Sequence, residues 1–184
     1  LDGVLQATWY DIDVETRSGF PDQSTDGWGF AASAEGGYPF ALTEEWSLEP
    51  QAQFVYQYIA IDDFHDGAAR VRYSDEDSLA GRVGLRLNRS WDSADAGEPP
   101  RPMNVWGNVD VWHEFLAEPT TEFSSASGYI PFTASLDRSW VKFGVGANLQ
   151  VSDTTAVYGN IGYDTTFDGD TYSIDGSIGF KFSW

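Results

Sequence analysis

The last thirteen residues of this 184-residue chain alternate between apolar and polar side chains without a break. Successive side chains of a β-strand point to opposite faces, so the alternation predicts a strand with one apolar face and one polar face. The apolar face ends on an aromatic residue at the final position of the chain. Its members are Tyr172, Ile174, Gly176, Ile178, Phe180, Phe182 and Trp184, whereas Ser173, Asp175, Ser177, Gly179, Lys181 and Ser183 occupy the polar face.

The same alternation recurs along the whole chain, and helical spacing is not sustained anywhere. Most of the alternating segments run for 11 residues or more, whereas an average strand of a globular protein has about 5–6 residues. A strand that crosses a membrane needs about 9–11 residues. The segments lie at residues 4–14, where the facing is ambiguous, and at 28–40, 46–58, 78–88, 103–115, 141–151, 157–164 and 172–184.

Length and alternation together predict an all-β fold, an antiparallel transmembrane β-barrel of outer-membrane type with about eight strands visible. The chain has no run of about 18 apolar residues, so a transmembrane helix is not predicted. Backbone that crosses lipid must be fully paired, which a closed sheet achieves. A soluble sandwich or a lipocalin-like barrel alternates in the same way with its apolar face inside, and alternation alone leaves that alternative open.

The connections between the segments also indicate a membrane barrel, because such barrels have short periplasmic turns and longer external loops. With the C-terminus in the periplasm, the periplasmic turns are short at 43–45 and 152–154. The external connections are long at 18–26, 62–77 and 117–137. Two connections depart from this pattern: a long periplasmic turn at 89–102 and a short external one at 168–170.

Aromatic residues cluster where the predicted strands would meet the two membrane interfaces. Membrane barrels carry such aromatic girdles at both interfaces. The predicted periplasmic girdle contains Tyr38, Phe40, Trp46, Phe182 and Trp184, and the outer one contains Trp28, Phe30, Tyr56, Tyr58 and Tyr172.

The formal net charge of −19 argues against a nucleic-acid partner, because that binding depends on basic side chains that neutralise phosphates. Much of the acidity lies in the predicted loops, where divalent cations could join it to lipopolysaccharide. The chain has no cysteine, so its stability rests on neither disulfides nor thiolate metal sites.

Six segments in order along the chain resemble the C-terminal translocator barrel of autotransporters, the proteins of type V secretion. The resemblance covers nearly the whole chain. The segments are EGGYPFAL at 35–42, WSLEPQAQFVYQ at 46–57, DSLAGRVGLRL at 77–87, VWHEF at 111–115, VYGNIGY at 157–163 and FKFSW at 180–184.

Family members of this kind are twelve-stranded barrels preceded by a luminal helix and a secreted passenger. The resemblance implies that residues 1–184 form a single domain, the C-terminal two-thirds of such a barrel, in the bacterial outer membrane. It implies a non-enzymatic translocator that anchors and supports export of an N-terminal passenger, with no cofactor. The implied partners are outer-membrane lipid and lipopolysaccharide, the chain's own passenger and linker helix, and the barrel-assembly machinery. The C-terminal assembly signal would comprise Phe180, Phe182 and Trp184.

A free-standing small outer-membrane barrel with a structural or adhesive role is the alternative. In either barrel, seven charged residues of the polar faces are expected to point into the lumen and to form a charge-paired, hydrated interior. In an autotransporter they would also hold the linker helix. They are Glu35, Glu49, Arg82, Arg86, Asp110, Glu114 and Lys142.

The two histidines leave little basis for catalysis or metal binding. His65 lies in an acidic segment that lacks the spacing of an EF-hand. His113 is expected on the apolar face near the outer boundary. A Gly-x-Ser-x-Gly nucleophile motif is absent. We therefore predict no catalytic and no metal-binding residues, although a barrel enzyme built on loop acids and His65 is a third hypothesis.

Overall fold

The computed structural model describes residues 1–14, 22–65, 69–93, 100–134 and 137–183. Within these ranges the chain forms β-strands and connections, and it has no helix long and apolar enough to cross a membrane. The strands are β1 (Asp2–Val14), β2 (Gln23–Gly37), β3 (Phe40–Ala41), β4 (Trp46–Ile61), β5 (Phe64–His65), β6 (Arg70–Tyr73), β7 (Glu76–Ser93), β8 (Arg101–Glu114), β9 (Thr120–Ser125), β10 (Gly128–Thr133), β11 (Ser139–Ser152), β12 (Thr155–Thr166) and β13 (Tyr172–Phe182).

Eight long strands form the main sheet, in the order β1-β2-β4-β7-β8-β11-β12-β13, and the short β3 pairs with β4. Each long strand lies beside the next long strand in sequence, as in an up-and-down meander. Pairing is antiparallel from β8 through β11 and β12 to β13, with Val141 opposite Val111 and Tyr163 opposite Ile174. The predicted all-β antiparallel fold with about eight strands is confirmed.

Burial in this sheet is the inverse of that in a soluble protein. Among the described residues, the only buried hydrophobic side chain is Val71, which lies on the short strand β6 and not in this sheet. Asp110, on β8 of this sheet, is buried with 1% of its surface exposed. The apolar side chains of the alternating strands are exposed instead, for example Val83 and Ile178, the latter at 76%. Exposed apolar faces of this extent fit lipid rather than water. The arrangement is the opposite of the soluble lipocalin-like alternative.

The facing of the first strand, ambiguous in sequence, is clear in the structure. Trp9 is 80% exposed, and Leu5 and Ala7 are also exposed. Tyr10, on the opposite face of β1, is half-buried. The apolar face of β1 is therefore the one that carries Leu5, Ala7 and Trp9.

Two connections predicted as loops contain a second sheet, which corrects the sequence-based expectation. Strands β5 and β6 lie within 62–77, and β9 and β10 lie within 117–137. They pair in the order β10-β9-β6-β5. These strands have two to six residues, too few for a period-two pattern to stand out.

The long strands are also longer than predicted at several ends. The segment 28–40 divides into β2, which begins at Gln23 and ends at Gly37, and β3. Strand β7 continues to Ser93 and β8 begins at Arg101, so the connection predicted at 89–102 is shorter than expected. Most of that connection, 94–99, lies outside the described residues.

The chain divides into two compact units. The first unit comprises Leu1–Ala34, Phe54–Gly81 and Glu114–Arg138, and it contains the second sheet. The second unit comprises Glu35–Gln53, Arg82–His113 and Ser139–Trp184. Most of the candidate site residues belong to the second unit.

Candidate functional site

The polar face of the second unit is organised around Arg82 of β7. Its Nη2 lies 2.8 Å from Oε1 of Glu35, and its Nη1 lies 3.4 Å from Oδ1 of Asp110. The side chains of Arg82 and Asp110 are 12% and 1% exposed. Because isolated charges are costly to bury, this pairing is what allows a carboxylate to sit so deep. We call these three residues the Arg82 triplet.

Two neighbours complete the environment of the Asp110 carboxylate. The Asn108 amide, two residues earlier on the same face of β8, donates a hydrogen bond to its Oδ2. On the facing strand, Gly84 leaves the space that the carboxylate occupies, since a β-carbon at Gly84 would overlap Asp110 Oδ1. The Asp110 carboxylate therefore fits in this position only because residue 84 is glycine.

A second triplet, formed by Lys142, Asp164 and Asp175, lies on the polar face of the last three strands. Lys142 Nζ is 3.2 Å from Oδ2 of Asp164 and 2.7 Å from Oδ1 of Asp175. Lys142 and Asp164 are directly opposed in the β11–β12 register. Gly162 again provides the room, because a β-carbon there would lie 2.6 Å from Asp175 Oδ1. We call this set the Lys142 triplet.

The arginines of this face also contact tryptophan rings. The Arg86 guanidinium lies 4.3 Å from the centroid of Trp106, and its Nε donates to Asn88 Oδ1 at 3.0 Å. Arg82 lies 5.6 Å from the ring of Trp112. Attraction between a guanidinium and the face of an aromatic ring at such distances contributes about 0.5–2 kcal/mol.

A cavity of about 310 Å³ opens among these side chains. Members of both triplets line it, together with Arg86, Trp106 and Trp112. Each triplet places one cation between two carboxylates, so the two triplets together carry a surplus of negative charge. A wall of this kind can bind a polar peptide through ion pairs and amide hydrogen bonds.

Two of the seven predicted luminal residues belong to neither triplet and do not line the cavity. Glu49 is half-buried on β4 and fills the space beside Gly37. Glu114, in the first unit, accepts hydrogen bonds from the Ser78 hydroxyl at 2.6 Å and from the Leu79 amide at 3.0 Å.

The other Glu114 contacts are to the connection that follows it. Its Oε1 also accepts the backbone N–H groups of Leu116 and Ala117 at 2.9 and 3.0 Å. Glu114 thus fixes the end of β8 and the chain beyond it, a role that parity alone does not reveal.

Several further residues belong to the site without being among the predicted ones, although the sequence carries a signal for them. The signal is their position in each strand, which places them on the polar face. It is a weak signal, because a chain with so many acidic residues also has acids near its strand ends that belong to ordinary loops. They are Asp164, Asp175, Asn108, Trp106 and Trp112.

Each histidine lies on a strand. His65 is opposite Arg70 in the β5–β6 pair. His113 is opposite Ser139, and its Nδ1 is 2.7 Å from the serine Oγ. Within the described ranges, no group of three or more His, Cys, Asp or Glu side chains is placed to hold a metal ion.

The predicted C-terminal signal lies on β13, the last strand in the order of the main sheet. Phe180 and Phe182 are on its exposed apolar face, opposite Val157 and Thr155 of β12. Trp184 lies outside the described residues.

Comparison with known proteins identifies the family. The family model described as "Autotransporter beta-domain" matches residues 1–162. The chain is 31% identical to the adhesin BmaC autotransporter of Brucella suis, over all of this chain and 5% of that protein. It is 28% identical to the probable autotransporter YfaL of Escherichia coli, over all of this chain and 14% of that protein.

The chain is also 27% identical to the serine protease EspP of Escherichia coli, over 90% of this chain and 12% of that protein. It thus spans a small part of the length of these relatives. Among solved structures, the beta domain of the Bordetella autotransporter BrkA matches with a TM-score of 0.63 and 23% identity. That match covers 99% of this chain and 66% of the BrkA chain.

The chain belongs to the autotransporter beta-domain family. It has the fold of the outer-membrane translocator barrel of type V secretion, and its location is the bacterial outer membrane. The predicted resemblance, fold class, translocator function and location are confirmed.

Proposed function

We propose that this chain anchors an N-terminal passenger in the outer membrane and that the two triplets contact the linker of that passenger during and after export. The observation that supports this most directly is the pair of cations, Arg82 and Lys142, each shared between two carboxylates beside a cavity of about 310 Å³. A surface that carries both positive and negative side chains can bind a polar helix reversibly. We infer a non-enzymatic mechanism.

We propose further that residues 1–184 form one barrel domain, the last eight strands of a twelve-stranded barrel. Coverage of 66% of the BrkA beta-domain chain supports this extent. The short turns at 43–45 and 152–154 would then lie in the periplasm, and the second sheet would lie outside the cell.

Two further partners are proposed from the exposed parts of the chain. The barrel-assembly machinery would engage the C-terminal strand through Phe180, Phe182 and Trp184. Lipopolysaccharide would meet the acidic outer connections through divalent cations.

The test measures export in the full-length protein encoded by the gene, expressed in a Gram-negative host. Lys142→Glu would place three carboxylates together, and we expect a severalfold loss of passenger at the cell surface with little change in inserted barrel. Surface passenger is measured by antibody labelling, and barrel insertion by heat-modifiable migration in SDS gels. Lys142→Gln is the milder variant to use if the reversal prevents folding.

Arg138→Gln is the matched control, because Arg138 is an exposed cation of the first unit that pairs with Glu118 and belongs to neither triplet. Unchanged export by both Lys142 variants, with the barrel inserted, would count against linker contact. A gene that encodes no passenger would favour the free-standing barrel.

A further inference from the structure

A row of alternate residues on β7 changes from apolar to charged at one position. Val83, Leu85 and Leu87 are exposed on the apolar face. The next residue in the row is Arg89, 42% exposed, and Trp91 follows it. Because a lipid-facing row stays apolar only as far as the hydrocarbon extends, Arg89 marks the interface with the lipid headgroups. This is the end of the strands where the short turns lie.

Two tryptophans flank the Arg89 guanidinium. Its central carbon lies 5.6 Å from the ring centroid of Trp46, on the neighbouring strand β4, and 5.0 Å from that of Trp91. Trp46 is itself exposed on the apolar face. Aromatic rings of this kind settle at the headgroup level of a bilayer, so they place the guanidinium at that depth.

A backbone hydrogen bond and an ion pair fix the arginine. The Ser90 amide donates to the Glu45 carbonyl at 2.8 Å, which joins the end of β7 to the start of β4. The Arg89 Nε donates to Glu45 Oε2 at 2.9 Å. Within the described part of the chain, the bond between these two side chains uses Nε of Arg89 and Oε2 of Glu45, which leaves the Nη groups and Oε1 for a ligand. Both residues are exposed.

The unused groups have the chemistry of a zwitterionic headgroup. Arginine presents a planar fork of N–H donors that suits phosphate oxygens, and a carboxylate oxygen accepts an ammonium N–H. Because Arg89 and Glu45 have opposite charges, the pair is neutral overall. A headgroup with one phosphate and one ammonium matches both members, whereas an anionic headgroup without an ammonium would place its charge beside Glu45 uncompensated.

We propose that Arg89, Glu45 and the two flanking tryptophans form a binding site for one phosphatidylethanolamine headgroup in the leaflet at the short-turn end of the barrel. The phosphate is bound by the Arg89 Nη groups and the ammonium by Glu45. The glycerol backbone and acyl chains then run along Leu87 and Leu85. This site requires only the outer-membrane location and is independent of linker contact.

The experiment uses the full-length protein in detergent micelles that contain phosphatidylethanolamine and phosphatidylglycerol with the same acyl chains, in equal amounts. Native mass spectrometry counts the bound molecules of each lipid. We expect the wild type to retain phosphatidylethanolamine severalfold more than phosphatidylglycerol. Arg89→Ala should lower the amount of bound phosphatidylethanolamine severalfold. Arg89→Lys keeps the positive charge but loses the planar set of N–H donors, so the amount that it binds should lie between those of the wild type and Arg89→Ala.

A second variant separates headgroup recognition from a structural role. Glu45→Gln leaves Arg89 as an uncompensated cation, so the preference should shift towards phosphatidylglycerol. Loss of an ordinary surface ion pair would not produce such an exchange of preference. Heat-modifiable migration in SDS gels shows that each variant is folded, and Arg70→Ala, in the second sheet and paired with Asp63, is the control arginine.

Equal retention of the two lipids by the wild type, or a preference for phosphatidylglycerol, would overturn the proposal. Unchanged retention by folded Arg89→Ala would do the same. If the Lys142 variants lose passenger export but retain phosphatidylethanolamine normally, the result bears on linker contact and supports a lipid site that is independent of it.

Discussion

The carboxylate of Asp110 occupies the space that a β-carbon would need at Gly84 on the facing strand. Gly84→Ala should therefore displace Asp110 from Arg82 and lower the stability of the barrel by about 1–3 kcal/mol, the cost of leaving a buried polar group poorly paired. The measurement is the urea midpoint of the protein in phospholipid vesicles. Gly107→Ala is the control, since a β-carbon there meets atoms only at 3.6 Å and beyond. Equal midpoints for the two variants would contradict the steric argument.

Removing one member of the Arg82 triplet should cost more than removing a surface ion pair. Arg82→Met leaves the buried Asp110 carboxylate uncompensated, and we expect a loss of about 3–5 kcal/mol. Arg138→Ala, which breaks an exposed pair with Glu118, should cost less than about 1 kcal/mol. The double variant Arg82→Met, Asp110→Leu should recover most of the loss, and a double-mutant cycle of unfolding free energies checks this. Additive losses would show that the two residues are not coupled.

The second sheet depends on Val71, which is 3% exposed and lies between Phe64 of β5 and Phe123 of β9. Val71→Ala should weaken this sheet by about 2 kcal/mol and leave the long strands unaffected. Limited proteolysis of intact cells should then cut the variant faster within 62–77 or 117–137. Ile130→Ala, at an exposed position of β10, is the control and should be cut at the wild-type rate. Faster loss of the whole barrel would argue that the sheet is not a separate unit of stability.

The turn between β12 and β13 should respond to acid. The Asp168 carboxylate accepts hydrogen bonds from the Thr166 hydroxyl at 2.6 Å and from the Asp170 amide at 3.2 Å. These bonds, the hydroxyl first, hold the pKa of Asp168 below the ordinary value of 3.8. A carboxyl whose pKa is lower in the folded protein than in the unfolded chain stabilises the turn when the pH is above the ordinary pKa. This stabilisation is lost as the pH falls through the lowered pKa. The carboxyl chemical shift of Asp168, followed by NMR against pH, should give a pKa below the ordinary 3.8. Thr166→Val should move it back towards the ordinary value, and an unchanged pKa would contradict the assigned cause.

The exposed aromatic residues of β13 should govern assembly rather than final stability. We expect Phe180→Ser with Phe182→Ser to leave the larger part of the protein uninserted in cells, because the apolar face of the last strand is what the assembly machinery is proposed to bind. Lys181→Ser with Ser183→Ala alters the opposite face and should insert normally. Heat-modifiable protein in outer-membrane fractions is the measure. Normal insertion of the aromatic variant would remove support for the signal.

Side-chain parity makes the polar face of each long strand predictable from the amino-acid sequence alone. Arg82, Asp110 and Lys142 can be identified in this way because period-two alternation assigns each residue of a strand to a face. Parity does not give the register between strands, however, and so it does not show that Arg82 lies between Glu35 and Asp110. Register depends on turn geometry and on contacts such as that between Gly84 and Asp110, which link positions 26 residues apart.

Elsewhere, local chemistry overrides what alternation can indicate. Glu114 has the parity of a luminal residue, but the amides of the connection after β8 bind its carboxylate. The second sheet escapes prediction because its strands are short and come from two connections that are far apart in sequence. Pairing of that kind is decided by a few tertiary contacts, and a single strand of two to six residues carries no sign of it.

The second sheet has a consequence for the order of events during insertion. Strands β5 and β6 precede β7 and β8 in the chain, and their partners β9 and β10 follow them. The pairing of Val71 with Phe123 therefore closes a loop that contains two complete membrane strands. Closing so long a loop is slow until its ends are brought together. We propose that this sheet lies outside the cell, so its pairing would be completed after β7 and β8 have crossed the bilayer. Its formation would then report the insertion of the middle of the barrel.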